Sequence, residues 1–134
     1  MTCVFCSIVK GEIPAHIVLD RDRVMAFLDI NPVAPGHTLV IPKEHYENIL
    51  EVPKDVLAEL MEAVKAVSKA LINYGYEGVN VLSNVGPAAG QVIMHAHIHV
   101  IPRKSGDELF KRPKTQRASD EELSKIAQEL RRLI

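Results

Sequence analysis

Three of the six histidines in this 134-residue chain, His95, His97 and His99, stand at alternate positions in the run HAHIH. In an extended strand successive side chains point to opposite faces, so three imidazoles share one face while Ala96, Ile98 and Val100 point towards a core. Imidazole changes charge near neutral pH and is nucleophilic without prior deprotonation, so a rigid row of this kind suits acid–base and nucleophilic work. One metal ion cannot use all three rings. The first and third start about 13 Å apart at about 3.3 Å per residue, whereas zinc takes nitrogens at about 2.0–2.1 Å. Just upstream, Asn84-Val85-Gly86 and Gly90-Gln91 make a loop of small residues. Its backbone N–H groups are donors of the kind that hold phosphate oxygens.

A second cluster of chemistry-bearing residues sits at the other end of the chain. Cys3 and Cys6 are the only cysteines and form one C-x-x-C. In a reducing compartment that spacing points to metal or redox chemistry rather than a structural disulfide. One pair cannot close a tetrahedral zinc site, and two buried small side chains are the plain alternative. A redox dithiol normally follows a strand, and none precedes this pair.

The elements that must carry these residues follow from periodicity. With a net charge of −1 and 47% hydrophobic residues, the chain is neither disordered nor a general nucleic-acid binder. It has no apolar run of membrane-spanning length, and its first residues lack a signal-peptide layout, so a cytoplasmic protein of one domain is expected. Strands are predicted at Ile17 to Asp20, Val24 to Leu28, Thr38 to Ile41, Gly78 to Leu82 and His95 to Ile101. A loop with two prolines, residues 29–36, joins the second to the third. Val56, Leu60, Val64, Val67 and Leu71 recur at helical spacing between Pro53 and Asn73. Ser119 with Glu122 opens a last helix through Leu123, Ile126, Leu130 and Ile134. Between them, residues 103–117 carry six basic residues against Asp107 and Glu108, a solvated connector. The expected class is α+β: a five-stranded antiparallel sheet with helices on one face.

The segment AGQVIMHAHIHVIPR resembles the signature of the histidine triad (HIT) family, His-x-His-x-His followed by two apolar residues, here Val100 and Ile101. The stretch GEIPAHIVLDRDRVMAFLDINPVAPGHTLVIPKEH is also similar to the family's N-terminal half. The resemblance implies a HIT domain over residues 1–103, with 104–134 as a connector and C-terminal helix of the same unit. It implies a twofold homodimer with the sheet extended across it.

It also implies an activity: hydrolysis at the α-phosphate of purine nucleoside 5′-phosphoramidates or related conjugates through a covalent nucleotidyl-histidine. By motif position His97 is the nucleophile, His99 contacts the phosphate and leaving group, and His37 supports the row. Asp29 matches the ribose carboxylate; Phe5, Ile8, Phe27 and Ile30 match the apolar cleft for the base. Asn84, Gly90 and Gln91 match the phosphate loop, although Val92 stands where one branch has a phosphate-binding serine. Cys3, Cys6, His45 and His95 match a structural zinc site found in some members. The alternatives are a diadenosine polyphosphate hydrolase like the Fhit branch, a nucleotide-binding module with vestigial activity, and a metal-dependent hydrolase using the row as ligands. Nucleic acid and membranes are not expected partners.

Overall fold

The computed structural model describes residues 3–134; the first two residues of the expected HIT unit lie outside the described part. Five strands, β1 (Ile17–Asp20), β2 (Val24–Leu28), β3 (Thr38–Pro42), β4 (Gly78–Leu82) and β5 (Ile98–Arg103), form one sheet in the order β1-β2-β3-β5-β4. Every neighbouring pair is antiparallel. Strand β3 is buried along its whole length and stands at the centre. The α+β class and the five-stranded antiparallel sheet are as expected.

Alternation along β2 and β3 sorts their side chains to two faces. Val24, Ala26 and Val40 meet helix α2 (Lys54–Tyr74), which lays Leu60, Ala63, Val64, Val67 and Leu71 on the sheet together with Ile98 and Val100 of β5. Leu60 is fully buried, and burial of such a side chain contributes about 1.5–3 kcal/mol. Met25, Phe27, Leu39 and Ile41 face the other way, where Phe5 and Ile8 cover them. Those two belong to a helix, α1 (Val4–Val9), that the sequence reading does not contain. Six residues are too few for a helical period to show. Cys3 is its N-cap, its Sγ accepting from the Cys6 amide. The sheet is therefore covered on both faces rather than on one.

Two further expectations are corrected. The fifth strand begins at Ile98, not at His95. Its pairing with β3 ends at Val40–Ile98, and beyond that point side chains take over the ladder's acceptors. The imidazole of His95 donates to the Pro42 carbonyl, and the Ser83 hydroxyl donates to that of His97. Arg103 is the last residue of β5 rather than the start of the connector, and the Asp107 carboxylate grips its guanidinium.

The last helix, α3 (Asp120–Leu133), is capped as predicted, Ser119 Oγ accepting from the Glu122 amide. It buries none of its residues and so does not cover the sheet. One glycine is required for the site: Gly36 has φ +100°, and a Cβ there would stand 3.1 Å from Leu71 Cδ2. The turn it makes delivers His37 to the base of β3.

Candidate active site

Histidines 95 and 97, two residues apart, serve different neighbours because they lie just before β5, outside the regular strand. His95 is fully buried. Its Nε2 donates to the Pro42 carbonyl at 2.8 Å, so in the neutral ring Nδ1 carries the lone pair. That lone pair faces Cys3 Sγ at 3.3 Å, Cys6 Sγ at 3.6 Å and His45 Nδ1 at 3.2 Å, and Cys6 Sγ lies 3.4 Å from His45 Nδ1. Donors placed tetrahedrally about zinc at about 2.0–2.1 Å (nitrogen) and 2.3 Å (sulfur) stand about 3.3–3.8 Å apart. The four atoms fit that ion. The Pro42 contact is also the carbonyl partner that a ligating histidine uses to hold its tautomer. Burial pushes the Cys6 thiol above its ordinary value, Cys3 adds to the effect and Lys10 opposes it; a cation between the donors reverses that balance. All four expected ligands are together.

His97 has the opposite tautomer. Its Nδ1 donates to the backbone carbonyl of His95 at 2.6 Å, which leaves Nε2 bare. This is the carbonyl contact that a nucleophilic imidazole requires. The ring is buried, and Phe5 meets it edge-on at 5.2 Å between centroids while also touching His95 at 5.7 Å. Phe5 thus stands between the cysteine cluster and the His97 ring. Ser83, which no motif marks, holds the other end of the residue through its 2.6 Å bond to the His97 carbonyl.

A second chain of hydrogen bonds sets the remaining rings. The Val33 amide donates to His37 Nδ1 at 3.1 Å, so Nε2 of His37 holds its proton. That N–H donates to His99 Nδ1 at 3.0 Å. His99 in turn keeps its own proton on Nε2, the nitrogen free to serve as a donor. Burial pushes both rings below the ordinary histidine value, His99 to about 4 with help from neighbouring His97 and His37, while Asp29 opposes. Asp29, His37 and His99 also form a compact group of possible ligands. There, however, a metal would have to displace the proton that the Val33 bond keeps on His37 Nε2. A metal at this second group is disfavoured on that ground.

The other expected site residues divide. Asp29 accepts from the Asn31 amide at 2.9 Å and keeps Oδ2 3.7 Å from His37 Nε2. Asn84 Nδ2 reaches the Gly90 carbonyl at 3.3 Å, and Gly90 has φ +98°. Gln91 is buried with its amide fully engaged: Oε1 accepts from the Gly86 amide, and Nε2 donates to the Glu47 and Ile93 carbonyls. It shapes the loop from within. Phe5, Ile8 and Phe27 pack into the core beneath the row, whereas Ile30 is 82% exposed at the rim. An open groove of about 1120 Å³ borders the cysteine cluster, lined by Lys10, Glu12, Tyr46, Glu47, Val92 and Met94 among others.

With this geometry in hand, similarity to known proteins is informative. The HIT domain family profile matches residues 10–106. A protein of Schizosaccharomyces pombe named adenosine 5′-monophosphoramidase is 45% identical over 103 residues, 77% of this chain and 75% of that one. A HIT family member from Bacillus subtilis superposes with a TM-score of 0.91 at 35% identity, covering 100% of this chain and 98% of that one. A zinc-bound histidine triad protein from Mycobacterium smegmatis superposes at 0.79 with 37% identity, over 87% and 86% of the two chains.

The His99 ring gives a direct test of the site's desolvation. Its folded value, about 4, lies below its ordinary one, so the unfolded chain binds the proton more tightly. The stability contributed by keeping this ring neutral is complete above about pH 6.5 and is lost as the pH falls towards 4. Ring-proton NMR should show His99 neutral at pH 6 and titrating near 4, with the urea midpoint falling over the same interval. Titration near 6.5 would contradict the buried hydrogen-bonded arrangement.

Proposed function

The chain belongs to the HIT domain family, and on that premise we propose that it is a nucleotide hydrolase, cleaving purine nucleoside 5′-phosphoramidates or related conjugates at the α-phosphate. The observation that carries the reading is the Nδ1–H of His97 on the His95 carbonyl, which aims a bare Nε2 as nucleophile. In the first step Nε2 attacks the α-phosphorus and the bond to the leaving amine breaks. His99 donates a hydrogen bond from Nε2 to the departing amine, which takes its proton from solvent. In the second step water attacks phosphorus, its proton passes to solvent, and the P–N bond to His97 opens to release the nucleoside monophosphate. Backbone N–H groups of the 84–91 loop hold the phosphate oxygens, with Asn84 and Gly90 shaping it. Asp29 takes the two ribose hydroxyls, and Ile30 lies against the base with Phe5, Ile8 and Phe27 beneath.

Zinc held by Cys3, Cys6, His45 and His95 is a structural part of the same reading. A Cys₂His₂ set leaves no open position, so the ion's contribution is to tie α1 to the His95 segment. The proposed assembly is a twofold dimer in which the open edge of β4 and the exposed flank of α2 meet a second copy.

Rapid-quench mass spectrometry with adenosine 5′-phosphoramidate tests the chemistry. The expected result is an adenylyl mass on His97, and loss of both adduct and turnover, by about 10³-fold or more, in His97→Ala that still binds nucleotide. Consumption of substrate without an adduct, or undiminished turnover in His97→Ala, would sink the covalent route. Binding without turnover in the unaltered chain would favour the vestigial module.

For the zinc, elemental analysis should find one ion per chain, and Cys6→Ser should lower both metal content and melting temperature. Turnover lost on chelation and restored by added metal, at unchanged melting temperature, would instead mark a catalytic ion.

A further inference from the structure

The segment that carries His97 is held by bonds outside the sheet. Leu82 opposite His99 is the last pair of the β4–β5 ladder, and the same register continued would set Asn84 opposite His97. The two strands part before that point. Asn84 opens the 84–91 loop, its side chain turned to the Gly90 carbonyl, while residues 95–97 lie outside the ladder. Three bonds to other parts of the chain hold them there. The His95 ring donates to the Pro42 carbonyl at 2.8 Å, and the Ala96 amide donates to the Tyr46 carbonyl at 2.7 Å. Half-buried Ser83 donates from Oγ to the His97 carbonyl at 2.6 Å. The first two tie the segment to the end of β3 and the turn after it. Of the three, only Ser83 lies on the β4 side, one residue before the loop begins.

We propose, on the reading of His97 as nucleophile and of the 84–91 loop as phosphate holder, that Ser83 is a positioning residue for adenylyl transfer. Its hydroxyl fixes the separation between the attacking ring and the loop. The Nδ1–H bond to the His95 carbonyl aims the His97 ring within its own segment, but it sets no distance to the phosphate. Attack needs the reacting atoms about 3–3.5 Å apart, and a misplacement of about 1 Å costs roughly 10²-fold in rate. Without the Ser83 hydroxyl the His97 carbonyl loses that donor. The nucleophile and the loop are then free to drift apart, while the groups that hold the base and ribose stay as they were.

The test is the single-turnover rate of His97 adenylylation by saturating adenosine 5′-phosphoramidate, read by rapid-quench mass spectrometry on the full chain, with the affinity for AMP measured alongside. Ser83→Ala should slow adenylylation roughly 10- to 100-fold and change AMP affinity less than about threefold. Ser83→Thr keeps the hydroxyl and should restore the rate. Ser83→Cys keeps the shape with only a weak donor; it should be slowed as well, and it decides the matter if the alanine variant melts early. Adenylylation of the alanine and cysteine variants at the rate of the unaltered chain would overturn the role of Ser83 and leave His97 standing as nucleophile. An equal loss of AMP affinity, or no recovery in Ser83→Thr, would overturn it too, because Ser83 would then only support the fold. No adduct in the unaltered chain would remove His97 as nucleophile, and the role of Ser83 with it.

Discussion

The site depends on two adjacent histidines of the row holding opposite tautomers. His95 spends its Nε2 proton on Pro42 and turns Nδ1 to the two sulfurs; His97 spends its Nδ1 proton on the His95 carbonyl and turns Nε2 outward. One residue thus orients two chemistries, through its ring on one side and its backbone on the other. This is possible because the segment leaves the β-ladder before Ile98, which frees the backbone and ring groups to point where a regular strand would not send them. Phe5, packed on both rings, stands between the cysteine cluster and the His97 ring.

The same logic governs the rest of the row. A main-chain amide at Val33 decides where the proton of His37 sits, and His37 decides the orientation of His99. Burial keeps these rings neutral, so His99 offers a hydrogen bond from Nε2–H and the two rings do not repel each other as cations. Desolvation thus works with the proposed chemistry: a nucleophile must be uncharged to attack, and its neighbour must keep an N–H turned towards the leaving group.

Much of this was legible in the sequence, for identifiable reasons. The five strands and α2 have strong periodic patterns or sharp turns at their ends, and the three histidines are dense enough to stand out from any background. The cluster of Cys3, Cys6, His45 and His95 came only from the resemblance; the structure gathers the four donors, yet no spacing rule connects residue 6 to residue 45 or 95. Helix α1 was invisible because six residues show no period. The early end of β5 was hidden because alternation of apolar and polar residues continues through Ala96 and Ile98 although the hydrogen bonding does not. Ser83 and Pro42 escaped notice because a hydroxyl or a carbonyl at a ladder's end has no signature until its partner's position is known. Gln91 matched the phosphate loop as a residue type, whereas its buried amide is used to hold that loop together.

The tautomers can be read directly. Long-range proton–nitrogen correlation NMR of the histidine rings, at neutral pH on the metal-loaded protein, distinguishes a protonated ring nitrogen from a bare one. The account predicts the proton of His97 on Nδ1, with His37 and His99 carrying theirs on Nε2 and His95 likewise, its Nδ1 bound to metal. A proton on Nε2 of His97 would contradict it, because the only nitrogen facing away from the His95 carbonyl would then have no lone pair to attack with.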